Sequence, residues 1–398
     1  MMFDFSDLPF FDNHTHLLNV NNREINMRDY IGPFNHGYVD NLPNDVPFGI
    51  DNCAGNNKPQ FISDDMLENT VKNLGICKAF VNYASQFMGT ECDFDAVLAE
   101  RNRRSMEDMK AYTKSLYEDQ QIIAEVVDSP LPMGDPACEC FPTRVLRLFQ
   151  TDGIIAKLTT ECESYAELEA RFDQRLRFAI LEEKFCGVKC HPLEINRRAP
   201  HYVSPAEAER VFRAAKYGDP EAAEEVYHAA FCHMLQMTQE LDFPVHLHTG
   251  ITGKTTYKNL ALNDPLCFAP LLNDKRFYKS HLVFLHMGYP NIRSASYMCQ
   301  GYPNVWIDIA QVLPWEVFNI TSILEDAMGF ASHGKITIGT GAHFHPEINW
   351  MSAKIAKKAL AFVLEDAVSK DFMNKKQAEQ TAELLLFKNA QRLYQRIL

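Results

Sequence analysis

The sequence predicts an α/β protein folded as a (β/α)8 barrel, with helical insertions after the first and fourth strands. Three observations predict it. Eight short runs rich in Val, Ile, Leu and Phe recur along the chain. They are nearly continuous in apolar character, as expected of strands buried on both faces of a parallel sheet. Charged, amphipathic segments of helical length separate them, and this alternation places helices around a parallel sheet. The length of 398 residues suits two or three domains of about 150 residues, or one barrel of the TIM type with long insertions. The strand count favours the second, so residues 1–398 read as a single barrel domain.

In chain order the strands are expected at 9–13 (PFFDN), 78–83 (KAFVNY), 122–127 (IIAEVV), 185–189 (FCGVK), 243–247 (FPVHL), 281–285 (HLVFL), 304–309 (NVWIDI) and 335–339 (KITIG). Helices are expected at 63–74, 94–119, 164–183, 204–216, 219–241, 290–300, 314–329, 350–369 and 375–388. Ser63 can cap the first of these, with Asp64 and Asp65 in the favourable first turn. Ser204-Pro205 and Asp219-Pro220 each pair a capping side chain with a proline at the first helical position. The 375–388 helix presents Ala378, Leu385 and Leu386 on one apolar face, suited to closing the barrel. Residues 17–62, rich in Asn, Pro and Gly, form a long loop after the first strand, and 190–242 insert helices after the fourth. Loops after the strands are where such barrels build their sites.

Lysine plus arginine total 39 and aspartate plus glutamate 52, a net charge of −13. That excludes a general binder of phosphate backbones, so no nucleic-acid partner is expected. No run approaches about 18 uninterrupted apolar residues, so no membrane span is expected. The N-terminal MMFDFSDLPFFDNH lacks a basic stretch followed by an apolar one and does not read as a signal peptide. Eleven scattered cysteines then read as reduced thiols, in keeping with a cytoplasmic protein. Cys138 and Cys140 stand too close and too isolated for a zinc finger. There is no G-x-S-x-G elbow, no G-x-G-x-x-G and no Walker motif, so neither a serine nucleophile nor a nucleotide cofactor is supported.

Six of the fourteen histidines fall in three H-x-H pairs: His14/His16, His246/His248 and His343/His345. Residues two apart on a strand face the same way, so His14 and His16 can converge on one ion. Lys189 ends the fourth expected strand, His248 the fifth and His286 the sixth, while Asp308 lies in the seventh. All fall at carboxyl ends of strands, the catalytic face of such a barrel. His14, His16, His248 and His286 are therefore the expected metal ligands. Imidazoles suit zinc first, or manganese and other transition metals, rather than calcium or magnesium. A catalytic centre keeps a position open for water and lowers its pKa toward about 7. Lys189 has two roles open to it: a carbamate bridging two metals, or an ammonium contacting substrate. His246 shares a strand with His248 and reads as a substrate contact or a neighbour of the ligands. His36, His191, His201, His228, His233, His281 and His333 read as structural or solvated.

Asp12-Asn13-His14-Thr15-His16, the lysine ending strand four, His248-Thr249-Gly250 and His286 resemble the amidohydrolase superfamily. The second half is closer still to one subgroup. His286-Met287-Gly288-Tyr289-Pro290, Pro303-Asn304-Val305-Trp306-Ile307-Asp308, Ala342-His343-Phe344-His345-Pro346-Glu347 and Asn389-Ala390-Gln391-Arg392-Leu393-Tyr394 resemble the amidohydrolase domain that plants and fungi carry fused to a glutamine-synthetase-like domain, and its free-standing bacterial relatives. The resemblance implies His14, His16, His248 and His286 as metal ligands, with Lys189 a bridging ligand or substrate contact. It implies metal-dependent hydrolysis of a C–N bond, with a γ-glutamyl or similar carboxylate-bearing amide as the small-molecule substrate. Arg197 and Arg198 offer a planar cation for that carboxylate. Lys189, His286 and His343 are the expected catalytic residues. His246, Arg197, Tyr289, Asp308 and Glu347 are the expected substrate contacts. Barrels of this kind commonly form homo-oligomers.

In one respect the chain departs from the resemblance. The family places an aspartate at the end of strand eight, in a Thr-Asp pair, which ligates metal and takes the proton from the attacking water. Here the pair reads Thr340-Gly341. Three accounts follow: an enzyme whose base has been removed, one in which His343, His345 or Glu347 replaces it, or a barrel that binds without hydrolysing. A decarboxylase or lyase on the same metal ligands is the competing enzymatic reading.

Overall fold

In the computed structural model, the described residues are 3–35, 39–41, 59–250 and 260–398. Part of the expected 17–62 loop, including His36, lies outside them. Eight strands form one sheet in sequence order, every neighbouring pair parallel. They are β1 (Phe10–His16), β2 (Ile122–Asp128), β3 (Arg144–Gln150), β4 (Gly187–Cys190), β5 (Val245–His248), β6 (Leu282–Leu285), β7 (Val305–Asp308) and β8 (Ile336–Thr337). Beyond β8 the chain continues along β1. Asn13 N–H donates to Ile338 O at 3.2 Å, Gly341 N–H to His14 O at 2.7 Å and His16 N–H to Ala342 O at 2.9 Å. These bonds bring the last strand back to the first, the arrangement of a TIM barrel.

Two strands differ from expectation. Residues 78–83 lie inside the helix Gly75–Met88, not in a strand. The buried apolar side chains there are Ile76, Cys77, Phe80, Val81, Ala84 and Met88, a spacing of three and four. The short apolar run is one stripe of a longer helical period, which a six-residue window cannot reveal. The third strand is Arg144–Gln150, which sequence reading missed because Arg144 and Arg147 interrupt its apolar run. Arg147 is nevertheless buried, donating to Leu131 O at 2.8 Å and Ser129 O at 3.4 Å. One false strand and one missed strand leave the total at eight.

The helices follow their capping chemistry closely. Ser63 accepts from Met66 N–H, Ser204 forms a capping box with Glu207, and Asp219 accepts from Glu221 and Ala222 N–H. Between β1 and β2 lie the helices Met27–Ile31, Asp64–Asn69, Gly75–Met88 and Phe94–Asp119. Between β4 and β5 lie Pro192–Ile195, Pro205–Lys216 and Pro220–Leu241. The expected 314–329 helix is broken into Val312–Trp315 and Ile320–Met328. The expected 350–369 helix begins earlier, at Pro346, and carries the fully buried Trp350.

The barrel interior is plugged at one end by the C-terminal segment. Ala390 and Tyr394 join Phe11, Ala124, Val126, Leu146, Leu148 and Cys186 in a small core inside β1, β2 and β3. The remaining apolar side chains form one large core under the helices. All described cysteines are free thiols, and among the described residues no helix is long and apolar enough to cross a membrane.

Candidate metal centre

His14 lies fully buried at the centre of a histidine cluster. Its ring centroid is 5.0 Å from that of His16, 5.9 Å from His286 and 5.7 Å from His246. Neither of its ring nitrogens has a hydrogen-bond partner. A buried polar atom left unsatisfied is unfavourable, so this ring awaits a group that supplies a bond. His14, His16 and Asp128 present ligand atoms all within 4.8 Å of one another. Two imidazoles and a carboxylate form a donor set that fits a divalent transition metal.

His286 and His248 stand beside them, with ring centroids 4.4 Å apart and His286 Nε2 at 3.3 Å from His248 Nδ1. The Nδ1 of His286 faces Ala310 O at 2.7 Å, a contact that orients the ring as a backbone carbonyl does for a metal ligand. The backbone turns sharply here: His286, Met287 and Gly288 all have positive φ. Thr249 Oγ1 fastens this turn to the end of β5 by donating to Leu285 O at 2.6 Å and accepting from Gly288 N–H at 3.0 Å. A Cβ on Gly250 would come within 2.2 Å of Tyr289 N, so only glycine lets the two strand ends approach.

Lys189 is buried at the end of β4 and its Nζ lies 3.0 Å from Asp128 Oδ2 and 3.0 Å from His191 Nε2. His191 Nδ1 in turn faces Asp152 Oδ2 at 2.7 Å. Burial raises the Asp128 carboxyl, but Lys189, His16, His191 and the Gln150 hydrogen bond together outweigh it and hold the group well below the usual carboxylate range. Burial lowers His16 to about 4, partly opposed by Asp128 and reinforced by Lys189. Burial first, then Lys189, pushes His14 well below the usual histidine value. Both imidazoles are thus neutral near pH 7, the form that ligates a metal.

The other expected site residues are placed as follows. His246 is buried one layer deeper and meets Tyr394 Oη at 2.6 Å, while Tyr394 donates to Asn13 Oδ1 at 2.8 Å. Asp308 accepts from Asn13 at 2.8 Å and Thr337 at 2.7 Å. Glu347 is buried against Arg101, with Nε 3.2 Å from Oε1. Tyr289 donates to Glu316 Oε1 at 2.6 Å. Arg197 is exposed, its backbone N–H on Glu224 at 3.2 Å; Arg198 pairs with Glu224 and Glu225. His343 stacks on His16 with centroids 3.7 Å apart, and His345 reaches Asp29 O at 3.0 Å.

Four side chains at this site escaped sequence reading. Asp128 ends β2 one residue beyond the expected strand, and a carboxylate at a strand end was the signal available. His191, read as structural or solvated, bridges Lys189 and Asp152. Glu194 Oε1 lies 3.3 Å from His248 Nε2. Gln311 Nε2 lies 3.3 Å from His343 Nε2. Neither of the last two carries a motif.

A family model described as "Amidohydrolase" matches residues 167–396. Over 153 residues the chain is 31% identical to Protein fluG of Emericella nidulans, an alignment covering 38% of this chain and 17% of that much longer protein. Among solved structures, a candidate metal-dependent hydrolase of Lactobacillus casei superposes with a TM-score of 0.79 at 19% identity, covering 100% of this chain and 98% of that one. Glucuronate isomerase of Caulobacter crescentus gives 0.64 at 14% identity, covering 99% and 92%. Uronate isomerase of Thermotoga maritima gives 0.62 at 14% identity, covering 98% and 95%. These three share the barrel.

Proposed function

The chain belongs to the amidohydrolase family, and from that premise we propose that it is a metal-dependent enzyme hydrolysing the C–N bond of a small amide. The observation that carries this is His14, whose two ring nitrogens are buried and unpartnered beside His16, Asp128 and His286. A divalent metal, zinc first, would be held by His14, His16, His248 and His286, with Asp128 as a further donor. Bound there it would acidify water and polarise the scissile carbonyl.

The chain's own residues have distinct tasks in this reading. Lys189 keeps Asp128 ionised, in the role of an ammonium rather than a carbamate. Asp152 accepts a hydrogen bond from His191 Nδ1–H, so that Nε2 faces Lys189. Ala310 O accepts a hydrogen bond from His286 Nδ1–H, which would turn its Nε2 lone pair toward the cluster. His343, kept neutral by burial and stacked on His16, would serve a hydrolytic water as a hydrogen-bond acceptor. Arg197, at the exposed edge after β4, would meet the carboxylate of a γ-glutamyl-type amide. The same reading has the protein act in the cytoplasm as a homo-oligomer, which light scattering checks.

Metal analysis with a panel of amides and aromatic acids tests the reaction. Release of carbon dioxide without ammonia or amine would sink the hydrolase reading in favour of a decarboxylase. His14→Ala should lower bound metal at least about tenfold, since a ligand is lost outright and even the groups supporting ligands are worth about 10–100-fold. Unchanged metal content would place the ion elsewhere. A second reading, a barrel that binds without turning over, is favoured by Gly341, which supplies no carboxylate. Metal occupancy without turnover of any amide would support it.

A further inference from the structure

Gln311 follows β7 in a backbone conformation that side-chain-bearing residues rarely adopt, φ +62° and ψ −45°. Such strain persists only where the surroundings impose it, and it gathers at functional sites. The surroundings here are Gly341, itself at φ +62°. A Cβ at position 341 would lie 2.3 Å from Gln311 Cγ and 2.7 Å from Gln311 N. Thr340 O accepts from Gln311 N–H at 3.2 Å, which locks the two segments together. The glycine therefore gives up the space that the glutamine stem fills.

The far end of that side chain lies in the histidine cluster. Gln311 is 6% exposed. Its Nε2 lies 3.3 Å from His343 Nε2, and His343 stacks on His16. Its Oε1 is buried and has no partner. A buried carboxamide oxygen without a donor is unfavourable in the free protein, and a ligand that supplies a donor relieves it. A carboxamide does not take up a proton near neutrality, so this group can orient a bound molecule but cannot serve as its base.

We propose that Gln311 is a substrate-contacting residue, its Oε1 accepting a hydrogen bond from an N–H of the bound amide. The site then selects primary and secondary amides over tertiary ones. This rests on the C–N hydrolase reading for the class of substrate, but not for the existence of the contact. For this contact Gly341 is a positioning residue, acting through Gln311.

The test uses two probes that chelate alike and differ in one donor, γ-glutamyl hydroxamate and its N-methyl analogue. Dissociation constants are read by calorimetry on the metal-loaded full chain. The native protein should prefer the N–H probe by about tenfold, the upper end of one hydrogen bond. Gln311→Met, which keeps length and loses the acceptor, should bring the ratio near one. Gly341→Ala, which displaces the glutamine, should do the same, whereas Gln311→Glu keeps an acceptor and should retain a preference. A ratio that survives Gln311→Met overturns the proposal, as does a native protein with no preference or no binding of either probe. Should Gln311→Met not fold, the contrast between Gly341→Ala and Gln311→Glu decides. Aniline release from γ-glutamylanilide is followed separately. Preference without hydrolysis overturns the hydrolase reading alone; hydrolysis without preference overturns the Gln311 contact alone.

Discussion

At the scale of single residues, the site sets an unsatisfied imidazole beside a satisfied ion pair. His14 lacks partners for both ring nitrogens, whereas Lys189 and Asp128 neutralise each other out of water. Removing one member of a buried pair strands the other, at about 3–5 kcal/mol. Lys189→Met should therefore lower unfolding stability by that much in urea, and adding Asp128→Asn should recover most of it. Asp128 titrates below its unfolded value of about 3.9, so its contribution is present above that pH and is lost as pH falls through the depressed folded value. The Lys189→Met penalty should accordingly shrink in acid. A penalty that is equal at pH 7 and pH 3 would count against the pair. The H-x-H at His14 was legible because a period of two puts both rings on one face. The partner of Lys189 was not, because Asp128 lies 61 residues away and only the pairing of β2, β3 and β4 brings them together.

At the scale of elements, strand ends and helices hold the site through buried polar bonds. Glu125 on β2 accepts from Tyr117 at 2.7 Å on the helix Phe94–Asp119 and from Asn349 at 2.9 Å on Pro346–Ser369. Burial, then the neighbouring Asp12, pushes its carboxyl well above the usual range. A raised acid contributes its stability below the unfolded pKa and loses it as pH rises through the folded one. Glu125→Gln, with its carbonyl at Oε1, keeps both bonds and escapes that loss. The melting temperature of Glu125→Gln relative to the native protein should rise between pH 5 and pH 9, and a flat difference would refute the shift. Gly250 joins the ends of β5 and β6. Gly250→Ala should force the Gly288–Tyr289 turn outward and weaken metal retention about tenfold or more through His286, measured by dialysis and metal analysis. Full retention would show that the turn can yield. Among the elements, the helix Gly75–Met88 was misread and β3 missed for related reasons. A short apolar run does not declare its period, and a buried arginine looks exposed until the carbonyls that receive it are known.

Across the whole molecule, the barrel is closed laterally by the segment after β8 and plugged axially by the C-terminal helix. Tyr394 is the plug, packed on Phe11 with centroids 6.1 Å apart and bonded to Asn13 and His246. Tyr394→Ala should cost about 3–5 kcal/mol, as large-to-small changes of buried aromatics do. Equilibrium unfolding by fluorescence and circular dichroism checks it, and a loss under about 1 kcal/mol would mean that the plug is dispensable. The apolar face Ala378, Leu385 and Leu386 is buried, as the sequence pattern suggested.

The sequence by itself determined the alternation of strand and helix, the capping of the main helices and the histidines at strand ends. Each of these is local: hydrophobic period, cap chemistry and a spacing of two act over a few residues. Tertiary structure decided which carboxylate meets Lys189, which carbonyl orients His286 and which side chain fills the space over Gly341. Those pairings join residues from about 25 to over 60 positions apart, and they exist only when parallel strands stand in a fixed register around a closed barrel.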